Sequence, residues 1–352
     1  MDLSVISPHV PTLLWGSPGV GKTAAVKQYA EHHRLHLEVV VASVREPSDF
    51  GGLPIITDDG VKLQAPAWAM RLIKAGKGIL FLDEISTAPP AVQAALLRVV
   101  LDRVIGDAVL PSNIIIIAAA NPPDQAAGGW DLAPPLANRF MHVQVKQDPN
   151  NFIENFPSYW GEEPNLIGID QNKWREARSL ISSWIRRQPN HLLKLPDSES
   201  SRGGAWASPR SWDNASKLWA MAGNTSINDR LPLVAGCVGE GVAMEFITWA
   251  GEMDLPDPEM ILNKGEYKVT GRGDLDYAVI TSVIATAISR LTNKRWMSAW
   301  SILESASKQG AADVGAVAAK SLAKARTEKL PMPSKAIKAY IPILKAAGLI
   351  NE

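Results

Sequence analysis

Cysteine is almost absent: Cys237 stands alone in 352 residues. An internal disulfide and a cysteine-rich metal site are thereby excluded. Long apolar runs are missing too. A bilayer span needs ~20 continuous apolar residues, and the longest run, Ile114 to Ala120, is strand-sized. The N-terminus "MDLSVISPHV" lacks a basic stretch followed by a long apolar core. No secretory signal is expected, and the cytoplasm is the expected compartment. The six histidines, His32, His33 and His36 among them, form no H-E-x-x-H set, so no transition-metal site is expected. Internal repeats and low-complexity tracts are also lacking. Net charge is zero, with 36 basic and 36 acidic side chains. That balance is uneven along the chain. From Lys294 to Lys345 ten Lys or Arg face only Glu304, Asp313 and Glu328. Such a region is either a set of solvated helix faces or a docking or nucleic-acid surface.

What is present reads as an ordinary soluble composition, 46% hydrophobic and 20% charged. The length exceeds what one compact core usually holds, so two domains are expected. The first 147 residues alternate short apolar strands with helical patterns. The strands are "TLLW", His36 to Val41, Gly78 to Leu82, Ile114 to Ala120 and Met141 to Val145. Helices are expected over Lys22 to about His33, Ala67 to Ala75, Ala91 to Asp102 and Pro135 to Asn138. Uninterrupted apolar strands separated by helices predict an α/β fold with a five-stranded parallel sheet covered on both faces. After Lys146 a Pro-, Asn- and acid-rich stretch reads as a linker. From Gln171 onward the signals are helical, broken by "LPDSESSRGG" and "DLPDPE". Most tryptophans lie in this part and are expected to pack helix against helix. Proline stops are expected at Pro331, Pro333 and Pro342.

The stretch "GSPGVGKT" comprises Gly16, Ser17, Pro18, Gly19, Val20, Gly21, Lys22 and Thr23. It fits G-x-x-x-x-G-K-[ST] without a mismatch, between a strand and a helix as the mechanism demands. Its glycines let backbone N–H groups turn inward onto phosphate oxygens, and the helix N-terminus adds partial positive charge. Lys22 can reach β- and γ-phosphates, and Thr23 can bind Mg²⁺. The strand "GILFLDEI" ends in Asp83 and Glu84. In a parallel sheet ligands bind beyond the C-terminal strand ends. There Asp83 suits the Mg²⁺ shell and Glu84 can polarise an attacking water. A small-molecule kinase has no general need of such a base, and no N-K-x-D guanine-reading motif is present. ATP hydrolysis is the chemistry favoured. Asn121 follows the strand "IIIIAAA" and either holds the attacking water or simply turns the chain before Pro122–Pro123.

In this order the chain resembles the AAA+ ATPases. Walker A spans Gly16 to Thr23 and Walker B Leu80 to Glu84. The sensor-1 position falls on Asn121, and Arg139 stands in "ANRF" before the fifth strand. Arg210 in "ASPRSW" takes the sensor-2 place. More narrowly, "APPAVQAALLRVVLD", "AANPP", "LAPPLANRF" and "SPR" resemble the MoxR branch. The resemblance covers roughly residues 10 to 220. It implies an AAA+ nucleotide domain over 1–147, a linker and all-helical lid over 148–290, and a basic helical C-terminal extension over 291–352. It implies ATP and Mg²⁺ as cofactors and a ring, usually hexameric, with ATP between neighbours. Arg139 is then the finger reaching the next subunit's nucleotide, with Arg98 and Arg103 ranked behind it, and Arg210 senses nucleotide from the lid. It implies a chaperone-like remodelling of a target with a partner bearing a von Willebrand A-type domain. The rivals are a nucleic-acid motor or loader, for which no DNA-binding motif is present, and an ATP-gated assembly protein. Hairpins are expected at Asp58–Asp59–Gly60 and at Gly106–Asp107, either as contacts for a substrate or partner or as plain connections.

Overall fold

The computed structural model describes residues 6–350 except 126–129, 159–165, 199–202, 224, 254, 332 and 334. The chain divides into two compact units, 1–147 and 148–352. In the first, the parallel sheet has five strands: β1 (Thr12–Trp15), β2 (His36–Val41), β5 (Gly78–Asp83), β8 (Ile114–Ala120) and β9 (Met141–Gln144). Their order is β2-β5-β8-β1-β9, and every neighbouring pair is parallel. The helices between them are α1 (Lys22–His32), α2 (Ser48–Gly51), α3 (Ala67–Ala75), α4 (Pro90–Asp102) and the single turn α5 (Pro134–Ala137).

Side chains alternate across a strand, and the central strands use both faces. Leu80, Leu82, Ile114 and Ile116 enter one core, with Trp68 and Leu96. Ile79, Phe81, Ile115 and Ile117 enter the other, with Val26 and Ala30 of α1. Both faces are dry, which is why these strands read as unbroken apolar runs.

The two expected hairpins are present, as β3 (Leu53–Thr57) with β4 (Gly60–Gln64) and β6 (Val104–Ile105) with β7 (Ala108–Val109). They bind each other. Asp107 N donates to Leu63 O at 2.9 Å, and Leu63 N donates to Asp107 Oδ2 at 2.8 Å. Gly106 has φ 59°, and a Cβ there would collide with the Leu63 carbonyl, so this junction needs glycine.

The second unit is helical. The stretch expected as a linker opens with α6 (Pro149–Asn155), capped by Asp148, whose side chain accepts from Asn150 N. Phe152, Ile153 and Phe156 are buried there, so hydrophobic packing prevailed over a polar, Asn-rich composition. Its later part, 159–165, lies outside the described residues, as does part of "LPDSESSRGG". Then follow α7 (Gln171–Arg187), α8 (Pro209–Met221), α9 (Leu231–Val238), α10 (Glu240–Gly251) and α11 (Pro258–Lys264). After them come α12 (Gly273–Ser289), α13 (Asn293–Lys308), α14 (Ala312–Lys324) and α15 (Ile341–Ala346). Helices on both sides of residue 290 share one core, which joins Trp212 and Phe246 to Trp296, Trp300 and Tyr340. Compactness therefore marks no boundary at 290. Pro342, expected as a stop, stands in the first turn of α15 instead, where its missing N–H costs nothing. Among the described residues, no helix is long and apolar enough to cross a membrane.

Candidate nucleotide site

Because β5, β8 and β1 lie side by side and run parallel, the loops that follow them leave the sheet at one edge. Asp83 and Glu84, Asn121, and the Gly16–Thr23 loop therefore converge. The loop is anchored by Gly16 N, which donates to Ala120 O at 3.2 Å. A Cβ on Gly16 would lie 2.9 Å from Val145 O, so close backbone approach requires glycine here. Gly21 has φ 95°, a left-handed conformation at the N-cap of α1, and no side chain caps that helix end. The first N–H groups of an α-helix have no partner within the helix, the ready-made setting for an anion.

The buried Lys22 Nζ donates to Gly16 O at 2.6 Å, Ser17 O at 3.2 Å and Asn121 Oδ1 at 2.8 Å. Asn121 is thereby brought to the phosphate loop. Thr23 Oγ1 donates to Asp83 Oδ2 at 2.7 Å. Two hard oxygen donors this close fit Mg²⁺, which favours oxygen ligands.

Glu84 has φ 56° and ψ 39°, left-handed for a residue with a Cβ. Such strain of ~1–3 kcal/mol is characteristic of functional sites. It turns the carboxylate off the line of β5, where Glu84 Oε2 accepts from Ser43 Oγ at 2.6 Å. Ser43 follows β2, on the far side of β5 from Asn121. Sequence spacing gave no hint of Ser43, because a serine after a strand carries no motif.

Arg139 is half-buried just beyond α5, and its Nη1 donates to Pro135 O at 2.7 Å. The α5 turn is held by groups the sequence reading missed. Gln93, buried on α4, accepts from Ala133 N at 2.7 Å and donates to Ala88 O and Asp131 O. His142 on β9 reaches Ala137 O at 2.9 Å. Arg98 is exposed on α4. Arg103, ranked as an alternative finger, is committed elsewhere. Its guanidinium donates to Pro8 O, Pro111 O and Ile114 O, and burial pushes its pKa down. It ties the end of α4 to the start of β8 and is not a candidate finger. Arg210 belongs to the second unit, exposed in the first turn of α8 after the Ser208–Ser211 capping box.

Residues 11–140 match the family model described as AAA domain (dynein-related subfamily). Among solved structures, the chain is similar to the RuvB Holliday junction branch migration motor of Thermotoga maritima. The two are 16% identical over 82% of this chain and 80% of that one, with a TM-score of 0.34. It is also similar to NtrX from Brucella abortus, solved in complex with ADP. There the identity is 15% over 96% of this chain and 64% of that one, with a TM-score of 0.35.

Proposed function

We propose that this chain is a ring-forming, MoxR-like AAA+ ATPase that hydrolyses ATP to remodel or activate a protein partner. The observation that carries the reading is the convergence of Lys22, Thr23, Asp83, Glu84 and Asn121 at one sheet edge, with Lys22 bonded to Asn121 and Thr23 to Asp83. Lys22 exchanges its carbonyl acceptors for β- and γ-phosphate oxygens, and the loop N–H groups hold the remaining oxygens. Thr23 and Asp83 would hold Mg²⁺, which supplies charge neutralisation on the phosphates. Glu84 accepts a proton from the attacking water, and Asn121 orients that water. Arg139 offers a planar, permanently charged group to a neighbour's nucleotide, where charge grows in the transition state. Arg210 responds to nucleotide from the second unit. The hexamer, the von Willebrand A-type partner and the lid and extension at 148–290 and 291–352 belong to the same proposal.

The test is Glu84→Gln. MgATP binding is retained and turnover falls ~10²–10⁴-fold, the contribution of a positioned base. Loss of binding with turnover per bound ATP preserved would sink the assignment.

A second reading, a nucleic-acid motor, draws on one feature. Lys324, Arg326, Lys329, Lys335, Lys338 and Lys345 are all exposed, with Glu328 as the acid among them. Arg295, Lys308 and Lys320 are instead paired with Glu259, Glu304 and Glu154. ATPase activity stimulated by DNA, and lost when salt rises from 50 to 200 mM, would favour this second reading.

A further inference from the structure

We infer that His142 is a positioning residue for Arg139, fixing the α5 turn to the base of the phosphate loop through Trp15. The inference rests on the reading of Arg139 as a finger acting in trans.

Trp15 is the last residue of β1 and directly precedes Gly16. It pairs with Gln144 of β9, and His142 lies two residues back on the same face. The rings stack at 6.1 Å between centroids and 28° between planes. The Trp15 indole N–H donates to His142 Nδ1 at 2.9 Å, and His142 Nε2 lies 2.9 Å from Ala137 O. A carbonyl can only accept, so Nε2 carries the proton. The neutral ring then has Nδ1 free to accept from the indole. One tautomer satisfies both partners, and the ring is held at both nitrogens.

Ala137 O is the C-terminal carbonyl of α5, and the chain reaches Arg139 two residues later. A single helical turn cannot hold itself, because nucleation fixes several dihedrals for one hydrogen bond. Its N-terminal end is held by Gln93 at Ala133 N; at its C-terminal end Arg139 N donates to Leu136 O, and Ala137 O, which takes Phe140 N at 3.2 Å, is the one point tied to a side chain, that of His142. Leu136 between them is buried. The side chain of Arg139 folds back on Pro135 O within the same turn. Loosening the His142 clamp leaves only local backbone bonds to fix the turn from which the guanidinium is presented. Displacing a reacting group by about 1 Å can cost 10²-fold in rate. The same clamp ends one residue from Gly16. Each subunit's own phosphate loop is thus linked, by Trp15 and His142, to the finger it presents to its neighbour.

The experiment uses the full-length protein. Arg139→Ala is measured first; near-normal ATPase in that variant ends the trans-finger reading itself, whatever His142 does. With Arg139→Ala inactive, His142→Phe keeps a stacking ring and removes both hydrogen bonds. Its kcat is expected to fall about tenfold to a hundredfold, with KM for ATP within about twofold, because its own phosphate loop is intact. His142→Gln, which keeps an N–H donor for Ala137 O, recovers part of the loss. His142→Phe is then mixed with Glu84→Gln, after co-capture through a tag on one variant shows that they share rings. The Glu84→Gln subunit brings a sound finger, and the His142→Phe subunit brings a sound site. ATPase activity per His142→Phe subunit rises on mixing. No rise on mixing, a raised KM with unchanged kcat, or wild-type activity in His142→Phe each overturns the proposal. Should His142→Phe fail to fold, Trp15→Phe replaces it, with the same rescue expected and the same outcomes against.

Discussion

Trp174, Trp212, Trp296 and Trp300 are fully enclosed in residues 148–352, whereas the described tryptophans of 1–147 all keep some exposure. The polar groups are distributed in a matching way. In the second unit one group of them is internal and closed on itself. Asp276, buried on α12, accepts from the Tyr267 hydroxyl, Thr270 N, Thr270 Oγ1 and Gly271 N. The Trp212 indole donates to His191 O. In the first unit they gather at one sheet edge, where Lys22 bonds Asn121, Thr23 bonds Asp83 and the Glu84 carboxylate is held by Ser43, contacts that a ligand can replace. The first arrangement maximises packing, since each aromatic ring buries about 150–250 Å². The second keeps charged groups in reach of exchange partners. The same chain thus separates stability from chemistry, and substitutions in the two units ought to move different observables.

The sharpest break of that comparison is Trp212→Ala. The side chain is enclosed and meets Phe246 edge-on at 5.3 Å. Removing it costs about 3–5 kcal/mol in transfer and cavity terms, read as a lower denaturant midpoint for the second unit. ATP affinity at the first unit is expected to change little. A fall in ATP affinity comparable to the loss of stability would show that the two functions are not separated.

Next in size is Lys22→Ala. A hydrogen bond to a charged group is worth about 1.5–3 kcal/mol, so ATP affinity falls about tenfold to a hundredfold. The unfolding midpoint without ATP falls only modestly, because Ser17 O and Asn121 are part-exposed and can turn to water while the buried Gly16 O alone loses its partner. Calorimetric titration with ATP measures the first part and denaturant unfolding the second. Near-normal affinity would remove Lys22 from the phosphate site.

The contrast also explains what could be read before the structure. The Gly16–Thr23 loop was legible because left-handed glycines, a lysine and a hydroxyl must stand at fixed spacing. The paired acids were legible because an apolar strand pointed at them. The central strands were legible because both their faces are buried. Ser43, Gln93 and His142 were not legible. Each acts through hydrogen bonds that only the fold brings together: Ser43 with Glu84, Gln93 with Asp131 and Ala133, and His142 with Trp15 and Ala137. No spacing encodes such a bond. The helix at Pro149–Asn155 was hidden by its asparagines, although Phe152 and Ile153 face the core. Compactness shared across residue 290 was also illegible, because apolar helix faces of many sequences can pack together.

A smaller effect sharpens the picture within the first unit. Ser43 draws the Glu84 carboxylate to the β2 side, away from Asn121. Ser43→Ala frees it, and basal ATPase is expected to rise by up to about tenfold with ATP affinity unchanged. A fall in kcat by a similar factor would instead mean that Ser43 holds Glu84 in its working position.

The smallest effect expected concerns a charge in the first unit that has no part in the chemistry. Glu38 on β2 is largely buried and accepts from Arg71 Nε at 2.6 Å and Arg71 Nη2 at 2.8 Å. The Arg71 hydrogen bonds hold its pKa below the ordinary glutamate value, against the opposing effect of burial, with His36 helping. The sign follows from which state binds more protons. A carboxylate whose pKa is lower in the folded state contributes stability above its unfolded value, about 4.3, and loses it as pH falls through the folded value. Arg71 is itself open to solvent, so screening keeps the contribution modest. Glu38→Gln should therefore lower the unfolding temperature of the first unit slightly at neutral pH. The gap to wild type should close as pH drops from about 5 to about 3. Calorimetric scans across that range, in low and high salt, measure it. ATP affinity at neutral pH should be untouched, since β2 is the edge strand and Glu38 lies three residues before its C-terminal end. A gap that widened toward acid would reverse the sign, and would mean that Glu38 is held in the protonated form in the folded protein.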